Sequence, residues 1–129
     1  MKKTYIETFI DKYFDENGNI KEIDDSLVKE QINKSLLQGK FVNIKEVLRN
    51  IDSYLTNKNY DLARQEFDNA SIKNYSNMAV AFISVAYLKA LQNTKNKKLE
   101  EEINRVEYSI QKIISLSEIK ETYIYLLNN

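Results

Sequence analysis

The chain has 129 residues with 19 basic and 19 acidic side chains, and it contains two Gly and no Pro, Cys, His or Trp. Without Cys and His, the sequence excludes disulfides, the usual zinc, iron–sulfur and haem sites, and Cys–His or Ser–His–Asp nucleophile systems. Hydrophobic residues make up 43% of the chain, which is enough to form a core. We therefore expect one globular domain over residues 1–129 that holds no cofactor or metal.

The charges are unevenly distributed along the chain. Residues 1–30 carry five basic and eight acidic side chains, whereas residues 31–60 carry five basic and two acidic ones. The chain as a whole is neutral, which does not favour a nucleic-acid or anionic-membrane partner. The longest apolar stretch, 78–91, is shorter than the roughly 20 residues needed to span a bilayer. No secretion signal is evident either, so we expect a cytoplasmic protein.

Apolar residues recur at helical spacing from the first residues onward, and the near absence of Gly and Pro permits helix throughout. The first predicted helix covers 3–14. Its apolar stripe consists of Tyr5, Ile6, Phe9, Ile10, Tyr13 and Phe14. The Asn17–Gly18 pair then predicts a tight turn, because both residues tolerate a positive φ.

The second helix is predicted to begin at Asp24, Asp25 or Ser26 and to end before Gly39, which suits a left-handed C-terminal cap. The residues expected to face inward are Leu27, Val28, Ile32, Leu36 and Leu37. The third helix begins after the cap Asn43 and shows the most regular three-and-four spacing in the chain. The fourth covers 60–72, with Leu62, Ala63, Phe67, Ala70 and Ile72 turned inward.

The fifth helix, 78–93, is apolar nearly all round and should lie at the centre of the fold. The sixth places apolar residues at alternating spacings of four and three from Leu99 onward. Ser115 and Glu118 have the spacing of a capping box, which predicts a separate C-terminal helix. The expected fold class is therefore all-α, with six or seven short antiparallel helices in a bundle or a short superhelical stack.

Residues 44–70 resemble the helix pair of a tetratricopeptide repeat. The resemblance rests on Tyr54, on the Tyr60–Asp61 entry to the second helix, and on Ala63, Phe67 and Ala70. In that family, small residues at the crossing let two antiparallel helices approach closely while an aromatic ring fills the adjoining gap. Residues 34 positions away on either side do not repeat the pattern, so an ordinary helical hairpin is the alternative interpretation.

The resemblance implies a protein that binds another protein or a peptide along a groove lined by the first helix of each pair. Lys45, Arg49 and Asp52 are the polar positions that would line this groove, and a solvated helix face is the alternative. Tyr75, Tyr108, Tyr123 and Tyr125 fall off the apolar stripes or near helix ends. Because Tyr123 and Tyr125 cannot both face one side of a helix, we expect one of them to be exposed as part of a contact surface.

A helix-turn-helix formed by residues 26–57 is the second hypothesis. Lys45 and Arg49 would then lie one turn apart on the recognition helix, with Lys40 and Lys58 flanking them. The neutrality of the whole chain speaks against strong phosphate binding. Salt separates the two hypotheses, because phosphate contacts weaken steeply with salt and an apolar protein interface does not.

Catalysis and metal binding have little support in the sequence. Glu100, Glu101 and Glu102 are consecutive, so a helix turns them in different directions. A calcium loop starting at Asp15 would need Gly at position 20 and Glu at position 26, where the chain has Ile20 and Ser26. We therefore expect a non-enzymatic protein-binding module, such as a small adapter, inhibitor or immunity-type protein. Its partner is another protein, and self-association is compatible with this interpretation.

Overall fold

The computed structural model describes residues 2–37, 43–72, 77–115 and 118–129. Within these ranges the chain forms seven α-helices and one short 3-10 turn and has no strand. The helices are α1 (Tyr5–Tyr13), α2 (Ser26–Leu37), α3 (Ile44–Thr56), α4 (Tyr60–Ile72), α5 (Asn77–Thr94), α6 (Glu100–Ile114) and α7 (Lys120–Asn128), with the 3-10 turn at Lys97–Leu99. The predicted all-α fold is confirmed.

Side-chain caps begin three of the helices. Thr4 accepts a hydrogen bond from the backbone N–H of Glu7 at the start of α1, and Asn43 accepts one from Glu46 at the start of α3. The Asp25 carboxylate accepts from the backbone N–H groups of Leu27 and Val28, both at 3.1 Å. These caps satisfy backbone donors that have no partner inside the helix. The sequence predicted the cap of α3, and for α2 it indicated Asp25 as one of three candidates.

The predicted turn after α1 is present. Gly18 has a φ of +83°, and the Asp15 carboxylate accepts from the backbone N–H groups of Asn17 and Asn19, both at 2.9 Å. Phe14 and Ile20 form an isolated antiparallel bridge beside it. With its carboxylate used in this way, Asp15 acts as a turn-forming residue.

Helix α5 occupies the centre of the fold, as predicted. Its residues from Met78 to Leu91 are buried except for Lys89, which is partly exposed. Helices α1, α3, α4, α6 and α7 all pack against α5, whereas α2 packs against α7. The Phe82 ring lies within 5.5 to 6.3 Å of three aromatic rings, measured between ring centroids. These rings belong to Phe9, Tyr13 and Phe14.

Two predicted core leucines lie at the surface instead. Leu27 is 55% exposed because α2 turns Val28 and Ile32 inward and places Gln31 against Thr122 of α7. Leu62 is 42% exposed because the buried face of α4 consists of Ala63, Phe67 and Ala70. In both helices, neighbouring apolar residues compete for one buried face and packing decides between them.

Some predictions fall outside the residues that the structure describes. These are the C-terminal cap at Gly39, the position of Tyr75, and the inward orientation of Leu36, Leu37 and Ile72.

The C-terminal segment is a separate helix, but the predicted capping box does not begin it. Helix α7 starts at Lys120 after Ile119, which provides no side-chain cap. The Ser115 hydroxyl donates to the carbonyl oxygen of Lys112 at 2.6 Å, at the end of α6. Ser115 therefore bonds back to the preceding helix.

Among the described residues, no helix combines the length and the apolar character that a bilayer-spanning helix requires.

The central position of Phe82 predicts a large loss of stability on truncation. We expect Phe82→Ala to lower the free energy of unfolding by about 3–5 kcal/mol, because it removes contacts to three rings and leaves a cavity. Leu27→Ala at the surface should change it by less than about 0.5 kcal/mol. Urea unfolding followed by circular dichroism measures both values, and similar losses in the two variants would contradict this account of the core.

A second stability prediction concerns the hydroxyl groups of Ser84 and Tyr123, which are buried next to each other and have no hydrogen bond of good geometry to a described residue. Burial raises the pKa of the Tyr123 phenol, and a weak interaction with the Ser84 hydroxyl offsets part of that rise. Since an unsatisfied buried hydroxyl contributes no net stability, we expect Ser84→Ala to preserve or slightly raise the free energy of unfolding. A loss of more than about 1 kcal/mol in the same assay would show that the Ser84 hydroxyl is bonded.

A candidate binding groove between α4 and α6

Helices α4 and α6 both pack against α5 and leave an open groove of about 720 Å³ between them. Tyr87 of α5 and Leu99 of the 3-10 turn lie among its lining residues, and both are buried. We call this feature the α4/α6 groove. Its lining residues are Tyr60, Asp61, Arg64, Tyr87, Lys98, Leu99, Glu101, Glu102, Asn104, Arg105 and Tyr108.

Polar contacts bridge the groove near each end. Arg105 Nη1 donates to Asp68 Oδ1 at 2.7 Å, which joins α6 to α4. Near the start of both helices, Asn96 Nδ2 donates to the Tyr60 hydroxyl oxygen at 3.4 Å. The two bridges fix the separation of helices that otherwise meet through α5.

A partly buried charged network lies beside the first of these bridges. Arg105 Nε donates to Glu102 Oε1 at 2.5 Å, and Nη2 donates to Oε2 at 3.1 Å. The Tyr87 hydroxyl donates to Glu102 Oε2 at 2.7 Å. The Arg105 guanidinium also lies 5.8 Å from the ring centroid of Phe67. Glu102 therefore accepts three hydrogen bonds, two from a guanidinium and one from a phenol. Arg105 is fixed by Glu102, by Asp68 and by the Phe67 ring.

This network shifts the pKa values of its members. Burial alone would raise the pKa of Glu102, but hydrogen bonds from Arg105 and Tyr87 together with the Arg105 charge lower it. Burial and the hydrogen bond to Glu102 raise the pKa of the Tyr87 phenol. The hydrogen bond to Glu102 is the main cause of the raised pKa of Arg105. At neutral pH the groove thus holds a carboxylate, a guanidinium and a protonated phenol.

Four further charged residues line the walls of the groove nearer its other end. Asp61 and Arg64 lie on α4, and Lys98 and Glu101 lie on the 3-10 turn and α6. All four are exposed. Arg64 Nε is 3.8 Å from Asp68 Oδ2, while Asp61, Lys98 and Glu101 have no ion-pair partner within the described part of the chain. These three charges are available to a bound molecule.

Tyr108 lies on the α6 side of the groove and is 64% exposed. This is the highest exposure among the described large hydrophobic side chains. The Nζ atom of Lys112 lies 4.7 Å from the centroid of its ring. The sequence indicated Tyr108 as a residue off the apolar stripe, and its exposure agrees with that.

The predicted binding residues of α3 face helix α1 and the turn that follows it. Lys45 is partly buried, and its Nζ donates to the carbonyl oxygen of Asp15 at 3.1 Å. Asp52 is also partly buried, and burial and the nearby Glu7 charge raise its pKa. Arg49 is exposed. Since α1 packs against α3, Arg49 is the most accessible of the three.

The structure corrects the prediction for Tyr123. Its side chain is fully buried in the core, so it is not part of a contact surface. Tyr125 is partly exposed and packs against the edge of the core. The sequence correctly indicated that the two rings face different directions, and the structure identifies Tyr125 as the accessible one.

The helices of the hypothesised helix-turn-helix have separate main contacts. Helix α2 packs against α7, and α3 packs against α1, α4 and α5. Residues 38–42, which would form the turn, are not among the described residues. No observation in the described helices adds support to this hypothesis.

The charged network was not predicted from the sequence, although part of its signal was present. Arg64 and Asp68 are four residues apart on α4, and Glu102 and Arg105 are three apart on α6. These are spacings at which helical side chains meet. What the sequence did not show is that α5 places Tyr87 between the two pairs.

The described residues contain no group of three acidic side chains arranged to hold a metal ion. Comparisons with protein-family models, with curated proteins and with solved structures found no match for this chain. The functional interpretation therefore depends on the geometry of the groove.

The lowered pKa of Glu102 predicts a pH-dependent contribution to stability. Because this pKa is below its ordinary value of 4.5 in the folded protein, the contribution is present above about pH 4.5 and is lost as the pH falls through the folded-state pKa. At pH 7 we expect Glu102→Gln to lower the free energy of unfolding by about 1–2 kcal/mol. The difference in free energy of unfolding between the wild type and Glu102→Gln should become smaller as the pH is lowered.

Urea unfolding at a series of pH values between about 3 and 7 measures this difference. The matched control is Glu101→Gln, which removes a neighbouring exposed carboxylate that forms no ion pair with any residue the structure describes. If the free energies of unfolding of the wild type and Glu102→Gln differ by the same amount at every pH, this pH dependence cannot be assigned to Glu102.

Proposed function

We propose that this chain is a non-enzymatic protein-binding module that acts by occupying a surface of another protein through the α4/α6 groove. A small cytoplasmic adapter, inhibitor or immunity-type protein fits this role. The observation that carries the proposal is the combination of an open groove with an exposed aromatic side chain, Tyr108, beside it. Tyr is among the residues enriched at the energetic centres of protein interfaces.

The chemistry of the groove favours binding over catalysis. The polar atoms of Tyr87, Glu102 and Arg105 bond to one another. The pKa of Glu102 is lowered and that of Tyr87 is raised, which moves both groups away from the near-neutral values that general acid–base catalysis requires. Such a network is better suited to fixing the shape of a surface than to transferring protons.

The earlier candidates on α3 and α7 are secondary in this proposal. Arg49 and Tyr125 remain accessible, and either could extend a contact surface. Lys45 and Asp52 are occupied by contacts with the N-terminal part of the chain. The groove presents both an aromatic side chain and charges that form no ion pair with a described residue, so it supports the proposal better.

The experiment is affinity capture from a lysate of the native host, after nuclease treatment, with the wild type and Tyr108→Ala in parallel. We expect the wild type to retain a stoichiometric protein partner. For Tyr108→Ala, the affinity for that partner should fall about tenfold or more, because the variant removes an interface aromatic residue. Isothermal calorimetry with the purified partner then gives the two dissociation constants.

Leu27→Ala is the matched control, since Leu27 is an exposed apolar residue of α2 that is not part of the groove lining. It should bind as the wild type does. Equal binding by Tyr108→Ala and the wild type would overturn the assignment to the groove. Capture of nucleic acid that is lost with increasing salt would instead support the helix-turn-helix hypothesis.

A further inference from the structure

The two walls of the α4/α6 groove run in the same direction. Tyr60 of α4 meets Asn96 just before the 3-10 turn, and Asp68 of α4 meets Arg105 of α6. Eight residues separate the two α4 positions, which corresponds to about 12 Å along a helix, and nine separate their counterparts. Residues between the bridges therefore face each other in sequence order across the groove.

This register gives three rows of opposite charge. Counted from the two bridges, Asp61 falls opposite Lys98 and Arg64 falls opposite Glu101, and all four residues line the groove. The third row is the ion pair between Asp68 and Arg105, at 2.7 Å. No ion pair closes the first two rows within the described residues. The two rows thus form a square of four charges in which each wall carries one acid and one base, and Arg64 also lies 3.8 Å from Asp68 on its own wall.

A square of alternating charges is complementary to a copy of itself. A twofold axis parallel to the groove would turn a second molecule face to face and place its α4 over the first molecule's α6. Each Asp61 would then meet a Lys98 and each Arg64 a Glu101. Symmetric dimers require this kind of self-complementary surface, in which residue i contacts residue j and j contacts i.

We propose that the α4/α6 groove binds a second copy of this chain in a twofold dimer, with the α4 wall of each copy against the α6 wall of the other. This inference rests on the proposed function, because it names the occupant of the same groove. Tyr108 lies on the same face of α6 as Glu101 and Arg105, so the dimer would also cover this exposed ring. The charges set the orientation of the two copies, and Tyr108 supplies apolar area.

A twofold axis perpendicular to the groove is less favourable. It would place α4 of one copy antiparallel to α4 of the other and pair Asp61 with Arg64. The charges of the two open rows would still meet opposite charges. Asp68 of one copy, however, would face the other copy near Asn57, just after the end of α3, where it has no basic partner from the third row. The parallel axis keeps all three rows complementary, and a charge exchange distinguishes the two arrangements.

The test is the molar mass of the purified full chain in light scattering, over a concentration series at about 0.05 M and about 0.5 M salt. We expect the mass at low salt to rise with concentration toward twice the 15.2 kDa of the monomer. At high salt the concentration needed for dimer formation should rise about tenfold, since exposed charges are screened. A wild type that stays at the monomer mass at every concentration would overturn the proposal.

Charge variants test the arrangement itself. Asp61→Lys places two cations in the first row, so the dissociation constant of the dimer should rise at least tenfold. Exchanging the two charges in Asp61→Lys/Lys98→Asp restores that row only for the parallel axis, and we expect it to restore dimer formation. Failure of the exchange to restore the dimer, with circular dichroism showing a folded protein, would overturn the proposed arrangement.

Asp24→Lys is the control, because it makes the same change in net charge at an exposed position before α2. It should dimerise as the wild type does, and a loss equal to that of Asp61→Lys would show that net charge alone causes the effect and overturn the proposal. The dimer and the proposed function can fail separately. A monomeric wild type whose captured partner is lost with Tyr108→Ala would overturn the dimer alone.

Discussion

The burial of α5 on all sides is the constraint on which the rest of the structure depends. A helix that is apolar around its whole circumference must be surrounded, and five other helices surround it here. Each of them buries one stripe and leaves its opposite face to solvent. Helix α2 packs mainly on α7, where Gln31 accepts hydrogen bonds from the backbone and hydroxyl of Thr122 at 2.9 and 2.8 Å. A polar contact thus anchors the outermost helix.

The groove is a consequence of the same arrangement. Helix α4 packs against α3 and α5, and α6 packs against α5 and α7, so the sides of α4 and α6 that face each other are left to polar groups. The Tyr87 ring packs against Phe67 of α4, with 5.0 Å between the ring centroids, and its hydroxyl reaches Glu102 of α6. One side chain of the central helix therefore connects the core to the charged network. Because Glu102 is largely covered, Arg105 is needed to compensate its charge.

The sequence predicted those features that depend on local pattern. The bounds of α4, the cap Asn43, the turn at Gly18 and the central position of α5 all follow from residue type and spacing, and Asp25 is one of three residues that could cap α2. It was wrong where several apolar residues compete for one face, as with Leu27 and Leu62, because only the neighbouring helix decides which of them is buried. The sequence predicts that one of Tyr123 and Tyr125 is exposed but does not decide which, and α7 folds back onto the core so that Tyr123 is buried. The groove could not be predicted, since it depends on residues of three helices that spacing alone does not bring together.

The equal numbers of acidic and basic residues have a further consequence because of where these residues lie on the groove walls. As a composition, equal numbers of acids and bases only argue against a strongly charged partner. On the walls of the groove, the register inferred from the two bridging contacts arranges the same balance as an alternation, with an acid opposite a base in each row and the order reversed from one row to the next. Such a surface does not discriminate between partners by their net charge. It favours a partner whose charges alternate in the matching order. A copy of the same chain carries that pattern without any further requirement on its sequence.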